Sequence, residues 1–394
     1  MHDSQGQAFA FVREDSITFR EAAWTTVVSI ATLLVGAMLT LLLGNRFQQS
    51  LESVGLFDVL SPFFGPFTGR EDVAAIPAQA AALVSESFSV YDRLGELYPL
   101  VGIEWDLGHG NPHLPFEFPL FLPLAWVPFP VWIRIWVIGM VVCLAWSLRL
   151  MGVRPAFAYT VALGFTLTFP GQYSLVSTYP LLALALAAAW RFRDRPVIAG
   201  LSAVVFGAGR TTGLLLLLYF PWSRRWRAFT VASVTLAVLL FITLVFEPLI
   251  LIDLLTEGRQ AADFLFSRPD NLSAPALLSK LGIPALVTYL LIMVIGLVAL
   301  GHKPLRYWTL AWLAMALSPV AWSYAVAQAF PLAVVLWRFG NLGRTTVVAT
   351  GILAMGTESS YGIVWFFMVA AFGLTLAVTA VRSSDSWELR GSSP

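Results

Sequence analysis

Residues 197–250 read VIAGLSAVVFGAGRTTGLLLLLYFPWSRRWRAFTVASVTLAVLLFITLVFEPLI. Three apolar runs, 197–208, 211–220 and 228–250, are separated by one arginine, Arg210, and by a basic turn holding Arg224, Arg225 and Arg227. The last run exceeds the ~20 residues that cross a hydrocarbon core. The pattern recurs along the chain at 22–43, 131–148, 156–169, 175–190, 284–300, 307–317, 324–337, 345–355 and 361–380. It predicts an all-α polytopic membrane protein of twelve spans in a single integral membrane domain.

The composition agrees. Of 394 residues, 58% are hydrophobic and only 12% charged, about half the share in a soluble domain. That little charge cannot cover a soluble protein of this size. Soluble enzymes, disordered chains and nucleic-acid binders are thereby excluded, and a net charge of +1 calls for no polyanionic partner. The single cysteine, Cys143, lies inside an apolar run and can build neither a disulfide framework nor a thiolate metal site. Residues 1–21 are polar with both charge signs, and no small-residue cleavage site follows the 22–43 run. That run therefore reads as a span and not as a secretion signal.

Charge sets the expected topology. Basic clusters occur at Arg149/Arg154, Arg191/Arg193/Arg195, Arg224/Arg225/Arg227, Lys303/Arg306, Arg338/Arg344 and Arg382/Arg390. They fill alternate gaps, which the positive-inside rule places in the cytoplasm. Residues 1–21 and 381–394 are then cytoplasmic, and the two long gaps, 44–130 and 251–283, are outer loops. Within the first, VAAIPAQAAALVSES (73–87) predicts a small amphipathic helix. The stretch PFEFPLFLPLAWVPFP (115–130) holds five prolines, so it is expected to be an interfacial or re-entrant element.

No P-loop, dinucleotide fingerprint, H-E-x-x-H, G-x-S-x-G or D-x-D motif is present. An outer-face enzyme without nucleotide chemistry would draw on a lipid-linked donor. Candidate residues are few because charge is scarce. Arg210 stands in an apolar run, where an unpaired charge costs several kcal/mol; it either snorkels or meets an anion. Asp72 is a helix-opening carboxylate, which suits a cap or a general base. Asp58, Asp92 and Asp106 are rival carboxylates. His109 and His113 lie in a Gly- and Pro-containing stretch that cannot be helical, so a hydrogen-bonding role is expected in place of a metal. In the second loop Arg268 and Lys280 could grip a lipid phosphate or be solvated charge, and Asn271-Leu272-Ser273 fits a glycosylation sequon.

Several segments together resemble glycosyltransferase family 87, the DUF2029 group of GT-C-fold membrane enzymes. Asp72, an Ala-rich helix and Ser89-Val90-Tyr91-Asp92 are similar to the family's D-(x)n-G-x-P-Y-D segment. Asn111-Pro112-His113-Leu114-Pro115, with Pro119, Leu122-Pro123-Leu124 and Pro128, is similar to its N-P-H-P-P…L-P-L…P stretch. Gly171-Gln172, then Ala199-Gly200-Leu201 and Ala208-Gly209-Arg210, resemble G-Q…A-G-L…K/R. Asn271-Leu272-Ser273 and Leu317-Ser318-Pro319…Trp322 resemble N-x-S and S-P-x-x-W. The chain departs from the pattern at Phe116-Glu117-Phe118-Pro119, where the family has Tyr-Pro-Pro or Pro-Pro-Thr. It departs again after Trp322, where Ser323 and Tyr324 stand.

The resemblance implies a GT-C-like bundle that moves a hexose, mannose first among the candidates, from a polyprenyl-phosphate donor. The acceptor would be a lipid or glycan on the outer face of a bacterial plasma membrane, and the anomeric centre would be inverted. Asp72 would be the base. Arg210, Arg268 and Lys280 would hold the donor phosphate, and His113, Gln172, Tyr173, Asn271, Trp322 and Tyr324 would meet sugar or acceptor. No resident cofactor or metal ligand set is identified, though a divalent ion is compatible with GT-C chemistry. Membrane lipids are the remaining partners. A lipid or glycan transporter would instead show inverted repeats around a midplane site, and a scaffold would lack a carboxylate near Arg210.

Overall fold

In the computed structural model the described residues are 72–85, 88–102, 113–126, 129–166, 177–268, 271–321, 323–338, 340–354 and 368–381, and these contain helices and no strand. Thirteen helices carry the description: α1 (Asp72–Leu83), α2 (Phe129–Leu150), α3 (Pro155–Thr166), α4 (Tyr179–Arg191), α5 (Pro196–Ala208), α6 (Trp226–Phe246), α7 (Arg259–Ser267), α8 (Ala274–Lys280), α9 (Ala285–Leu300), α10 (Arg306–Ala316), α11 (Phe330–Trp337), α12 (Gly340–Ala354) and α13 (Met368–Val381).

Only α6 among the described residues is long and apolar enough to cross a membrane by itself, and eight shorter apolar stretches accompany it. The expected twelve spans are therefore matched in part, and the first, 22–43, lies outside the described residues. The shortfall has a backbone cause. The 211–220 run forms a 3-10 helix, Thr211–Leu218, followed by one α-turn, and the 324–337 run divides into the 3-10 segment Ser323–Ala329 and α11. The proline-rich 115–130 stretch becomes the short helix Phe118–Phe121 and the 3-10 turn Leu122–Trp126 before α2 begins.

Apolar side chains cover the outside. On α6, Val234, Val238, Phe241 and Val245 are exposed, and on α9 Leu286, Leu290, Val294 and Leu297 are exposed. Each set repeats every three to four residues and forms one helical stripe. Contiguous apolar surface of this kind suits lipid and not water. Between helices in lipid, close packing of small residues replaces hydrophobic burial as the cohesive force. On α5, Ala199, Ala203 and Gly207 are buried four residues apart. A Cβ at Gly200 would stand 2.8 Å from the Ala228 carbonyl oxygen of α6. At α13, a Cβ on Gly373 would enter the Trp312 ring of α10, whose Nε1 donates to Val369 O at 2.8 Å.

The bundle has two chemically distinct ends. At one, Arg225 donates to Arg193 O and pairs with Asp194 at 2.6 Å, while Arg306 lies 4.7 Å from the Trp222 ring centre. Trp190 packs there on Tyr307 and Trp308, at 5.0 and 5.4 Å. α5, α6 and α10 all start from this basic end. Their far ends carry Arg210, Glu247 and Ser318 respectively. α2 and α4 start from the far end, where Trp136 Nε1 donates to Ser177 O at 3.3 Å. α1, expected to be amphipathic, is instead enclosed: residues 75–80 are all buried, and Gln79 spends its amide on Val90 O at 2.9 Å.

The 3-10 helix fixes Arg210. The chain is extended at Arg210, and Gly213 N then donates to Arg210 O at 2.7 Å. A Cβ at Gly213 would stand 2.6 Å from the Phe206 carbonyl oxygen, a backbone atom that cannot swing aside. Gly213→Ala should therefore push this helix off α5 and destabilise the protein by about 1–3 kcal/mol. Gly139→Ala, which meets nothing within 4 Å, should be neutral or stabilising by about 0.5–1 kcal/mol. Thermal unfolding in detergent compares them, and a Gly213→Ala protein as stable as Gly139→Ala would contradict the close approach.

Candidate active site

The first long loop folds around Tyr91. Its ring is buried and meets Phe118 edge-on at 5.9 Å. Its hydroxyl donates to His113 O at 2.7 Å. Thr243 of α6 donates to Pro115 O at 2.7 Å, so both sides of the 113–117 segment are pinned. Within the segment, His113 Nδ1 pairs with Glu117 Oε2. The Glu117 side chain is 2% exposed and that of His113 24%. The turn before Tyr91 is closed by Asp92, whose carboxylate accepts from Ser89 N at 2.8 Å.

This loop docks onto the segment following α6. Ser89 Oγ donates to Glu247 Oε1 at 2.5 Å and lies 3.4 Å from Asp253 Oδ2. Burial pushes the Glu247 carboxyl above its ordinary value. The Ser89 and Val90 hydrogen bonds act against this, and Asp253 adds to it. Burial first, and then Glu247, Glu117 and Asp253, hold the Tyr91 phenol above its usual range, so it remains a hydrogen-bond donor. Behind Tyr91 stands Gly258, in the π-helical turn Leu254–Gly258, where a Cβ would meet the tyrosine ring at 3.4 Å.

The second long loop is held by Asn271, which is 0% exposed. Its Nδ2 donates to Pro319 O at 2.9 Å, with Leu265 O at 3.2 Å and Phe266 O at 3.4 Å. Its Oδ1 accepts from Ser273 N at 3.0 Å and Ala321 N at 3.1 Å. Ser273 caps α8 by accepting from Ala276 N at 3.3 Å, and it donates to Pro319 O at 2.8 Å. Three cationic residues attach to this knot. Arg210 Nη2 donates to Val320 O at 3.4 Å, Lys280 Nζ donates to Asn271 O at 3.1 Å, and Asn271 N donates to Arg268 O at 3.2 Å. The Arg210 guanidinium, on a residue 7% exposed, lies 5.6 Å from the Tyr179 ring centre. An aromatic face and a carbonyl are the partners that make a buried arginine tolerable.

The structure thus brings the Arg210 side chain to the 318–321 turn and the Lys280 side chain to Asn271, ties Arg268 to the same knot through its backbone carbonyl, and places His113 in the separate acidic group around Tyr91. Asp72 is the first residue of α1, and its side chain lies outside the described residues, as do Gln172, Tyr173 and Trp322 altogether. Tyr324 belongs to the 3-10 segment Ser323–Ala329, its side chain likewise outside them. Asn271 needs correction. Its buried amide is committed to five backbone groups, which leaves it a structural tie and not a sugar contact, and closes the sequon to modification. Sequence reading passed over Glu117, Glu247, Asp253 and Ser89 as site residues. A lone carboxylate in PFEFP was the available signal for Glu117, and Glu-Pro near the end of the 228–250 run was the signal for Glu247. Among the described residues no group of three His, Cys, Asp or Glu side chains is placed to hold a metal ion.

The Glu247 contact has a definite pH sign. A carboxyl raised above its ordinary 4.5 in the folded state contributes fully below that value, and its contribution is lost as pH rises through the folded value. Amide exchange of residues 88–97, corrected for intrinsic rates, should therefore show protection falling as pH rises from about 4 to 8. Glu247→Gln should remove the trend, and protection that rises with pH in the native protein would contradict it.

No curated protein and no solved structure matches this chain. The sequence profile of glycosyltransferase family 87 matches residues 114–287, a little under half of the chain. The matched stretch opens beside His113 and contains Glu117, Arg210, Glu247, Asn271 and Lys280. Across it, the chain is similar to glycosyltransferase family 87.

Proposed function

We propose that the protein is a glycosyltransferase that moves a hexose, with mannose as the first candidate, from a polyprenyl-phosphate donor to a hydroxyl of a lipid or glycan acceptor. The observation that carries this reading is the attachment of the Arg210 and Lys280 side chains to the Asn271 knot, three residues from Arg268, at the end opposite the basic turns. If the basic turns are cytoplasmic, as the positive-inside rule expects, the knot faces outward. No nucleotide sugar is supplied there, and no nucleotide motif is present to bind one. A lipid phosphate reaches such a site from the bilayer, and an arginine at its edge is the side chain suited to it.

The step balances simply. The acceptor oxygen bonds to the anomeric carbon from the face opposite the phosphate, the bond from that carbon to the phosphate oxygen breaks, and the centre inverts. The hydroxyl proton passes to Asp72. The lipid phosphate leaves with one more negative charge than it brought, which Arg210, Arg268 and Lys280 offset. Because the leaving group is already good, positioning and charge neutralisation are the main requirements. Gln172, Tyr173, Trp322 and Tyr324 are the expected contacts of the sugar.

Two variants test the assignment in purified protein of native thermal stability. Asp72→Asn should lower transfer at least ~100-fold with donor affinity retained; transfer at the native rate would remove Asp72 as base. Arg210→Ala should lower kcat/KM for the donor by about 100- to 1,000-fold. Unchanged donor affinity and turnover would remove Arg210 from the phosphate site.

A further inference from the structure

Three basic turns at the end from which α5, α6 and α10 start form one surface. Residues 191–195, 223–227 and 301–306 hold eight lysines and arginines and a single acid, Asp194. The net charge of +1 for the whole chain conceals this local excess. Arg225 joins the first two turns through Arg193 O and Asp194, and so engages the one carboxylate. Arg306 joins the third by lying over the Trp222 ring, with its Nε donating to Leu300 O at 3.2 Å. α5, α6 and α10 carry no acidic residue in their first turns to offset the remaining charge. Arg224 and Arg227 are exposed, and among the described residues neither side chain has a hydrogen bond or an ion pair.

Arg224 stands where the backbone resists it. Its φ is +59°, in the left-handed region, and it follows the helical turn Tyr219–Trp222, with Arg225 N donating to Phe220 O at 2.7 Å. Glycine is the usual residue at such a position. The other positive-φ residues among the described ones, Gly102, Gly152 and Gly282, are all glycine. Cations that only orient the chain in a membrane need a place in the turn and not a strained backbone. Beside Arg224, Trp222 and Trp226 are 44% and 60% exposed, and the exposed stripe of α6 through Val234 and Val238 begins at Trp226. Tryptophan at a helix end suits the head-group level of a bilayer. Positive charge, an interfacial ring and an apolar stripe thus follow one another along α6.

We propose that this surface binds an anionic phospholipid, whose phosphate meets Arg224 and Arg227 and whose acyl chains lie along α6 from Trp226. A basic cluster at the membrane surface attracts anionic head groups, whereas a zwitterionic one brings its own cation to a surface already positive. Free phosphate has no chains to place on the tryptophans and the stripe. The site lies at the opposite end of the bundle from the Asn271 knot and does not depend on the transfer reading.

Titrating the purified full chain in neutral detergent with brominated phosphatidylglycerol or brominated phosphatidylcholine reads the contact as tryptophan quenching. At equal ionic strength phosphatidylglycerol should bind about ten-fold more tightly or better. Arg224→Gly should weaken phosphatidylglycerol binding about five-fold. Its unfolding temperature in lipid-free detergent should equal or exceed that of the native protein, since glycine adopts the left-handed backbone without strain. Arg344→Gln removes one exposed charge from a different basic cluster and should leave binding unchanged. Equal binding of the two lipids, no loss in Arg224→Gly, or an equal loss in Arg344→Gln would overturn the proposal. Displacement of the lipid by inorganic phosphate at the same ionic strength would overturn the choice of a lipid. Should Arg224→Gly prove less stable than the native protein, Arg227→Gln decides by the same comparison with Arg344→Gln.

Discussion

One buried amide organises the end of the molecule where chemistry is proposed. Asn271 joins the chain after α7 to the turn after α10 by serving three carbonyls and two N–H groups, and Leu272 N adds a bond to Ala321 O at 2.8 Å. A leucine there would leave buried backbone groups unpaired, each costing about 1–3 kcal/mol. An aspartate would lose the donors. The tie also fixes what hangs from it: the Val320 carbonyl that meets Arg210 and the Asn271 carbonyl that meets Lys280. Arg210 and Lys280, 70 positions apart in the sequence, both meet carbonyls that a side chain without charge holds in place.

The second constraint is the scarcity of charge. With so few ionisable groups, their distribution carries most of the functional information. Arginines and aromatic rings gather where α5, α6 and α10 begin, and Arg193, Arg225 and Arg306 are satisfied there by backbone carbonyls, Asp194 and ring faces. The opposite end holds Arg210 and the acidic side chains around Tyr91, in separate groups. Glu247 connects the first long loop to the last residues before the second. Its raised proton affinity gives that connection a dependence on acidity which an ordinary surface carboxylate would lack.

Much of this was legible in the sequence because it depends on local composition. Run lengths gave the helical membrane class, alternate basic turns gave the two ends, and Arg210 stood out as a lone charge in an apolar run. The helix after Asp72 was legible, but its enclosure was not, since burial of Ala75 and Gln79 depends on what packs over them. The 3-10 geometry at 211–218 was hidden because hydropathy measures apolar length and not the number of residues per turn. Partners far apart in the chain were hidden too. Ser89 and Glu247 are separated by 158 positions and Asn271 and Pro319 by 48. Asn271 therefore read as a ligand contact when it is a tie, and Glu117 read as a departure from a family pattern when it is the buried half of a pair.

The central claim is that a sugar leaves a lipid phosphate held by the cations around the 318–321 turn. The most direct measurement supplies purified protein with polyprenyl-phosphate mannose and a hydroxyl acceptor, and follows released polyprenyl phosphate together with the anomeric configuration of the product. The account predicts one lipid phosphate released per sugar transferred and an inverted anomeric centre. Retention of configuration, or transfer from a nucleotide sugar without release of lipid phosphate, would contradict it.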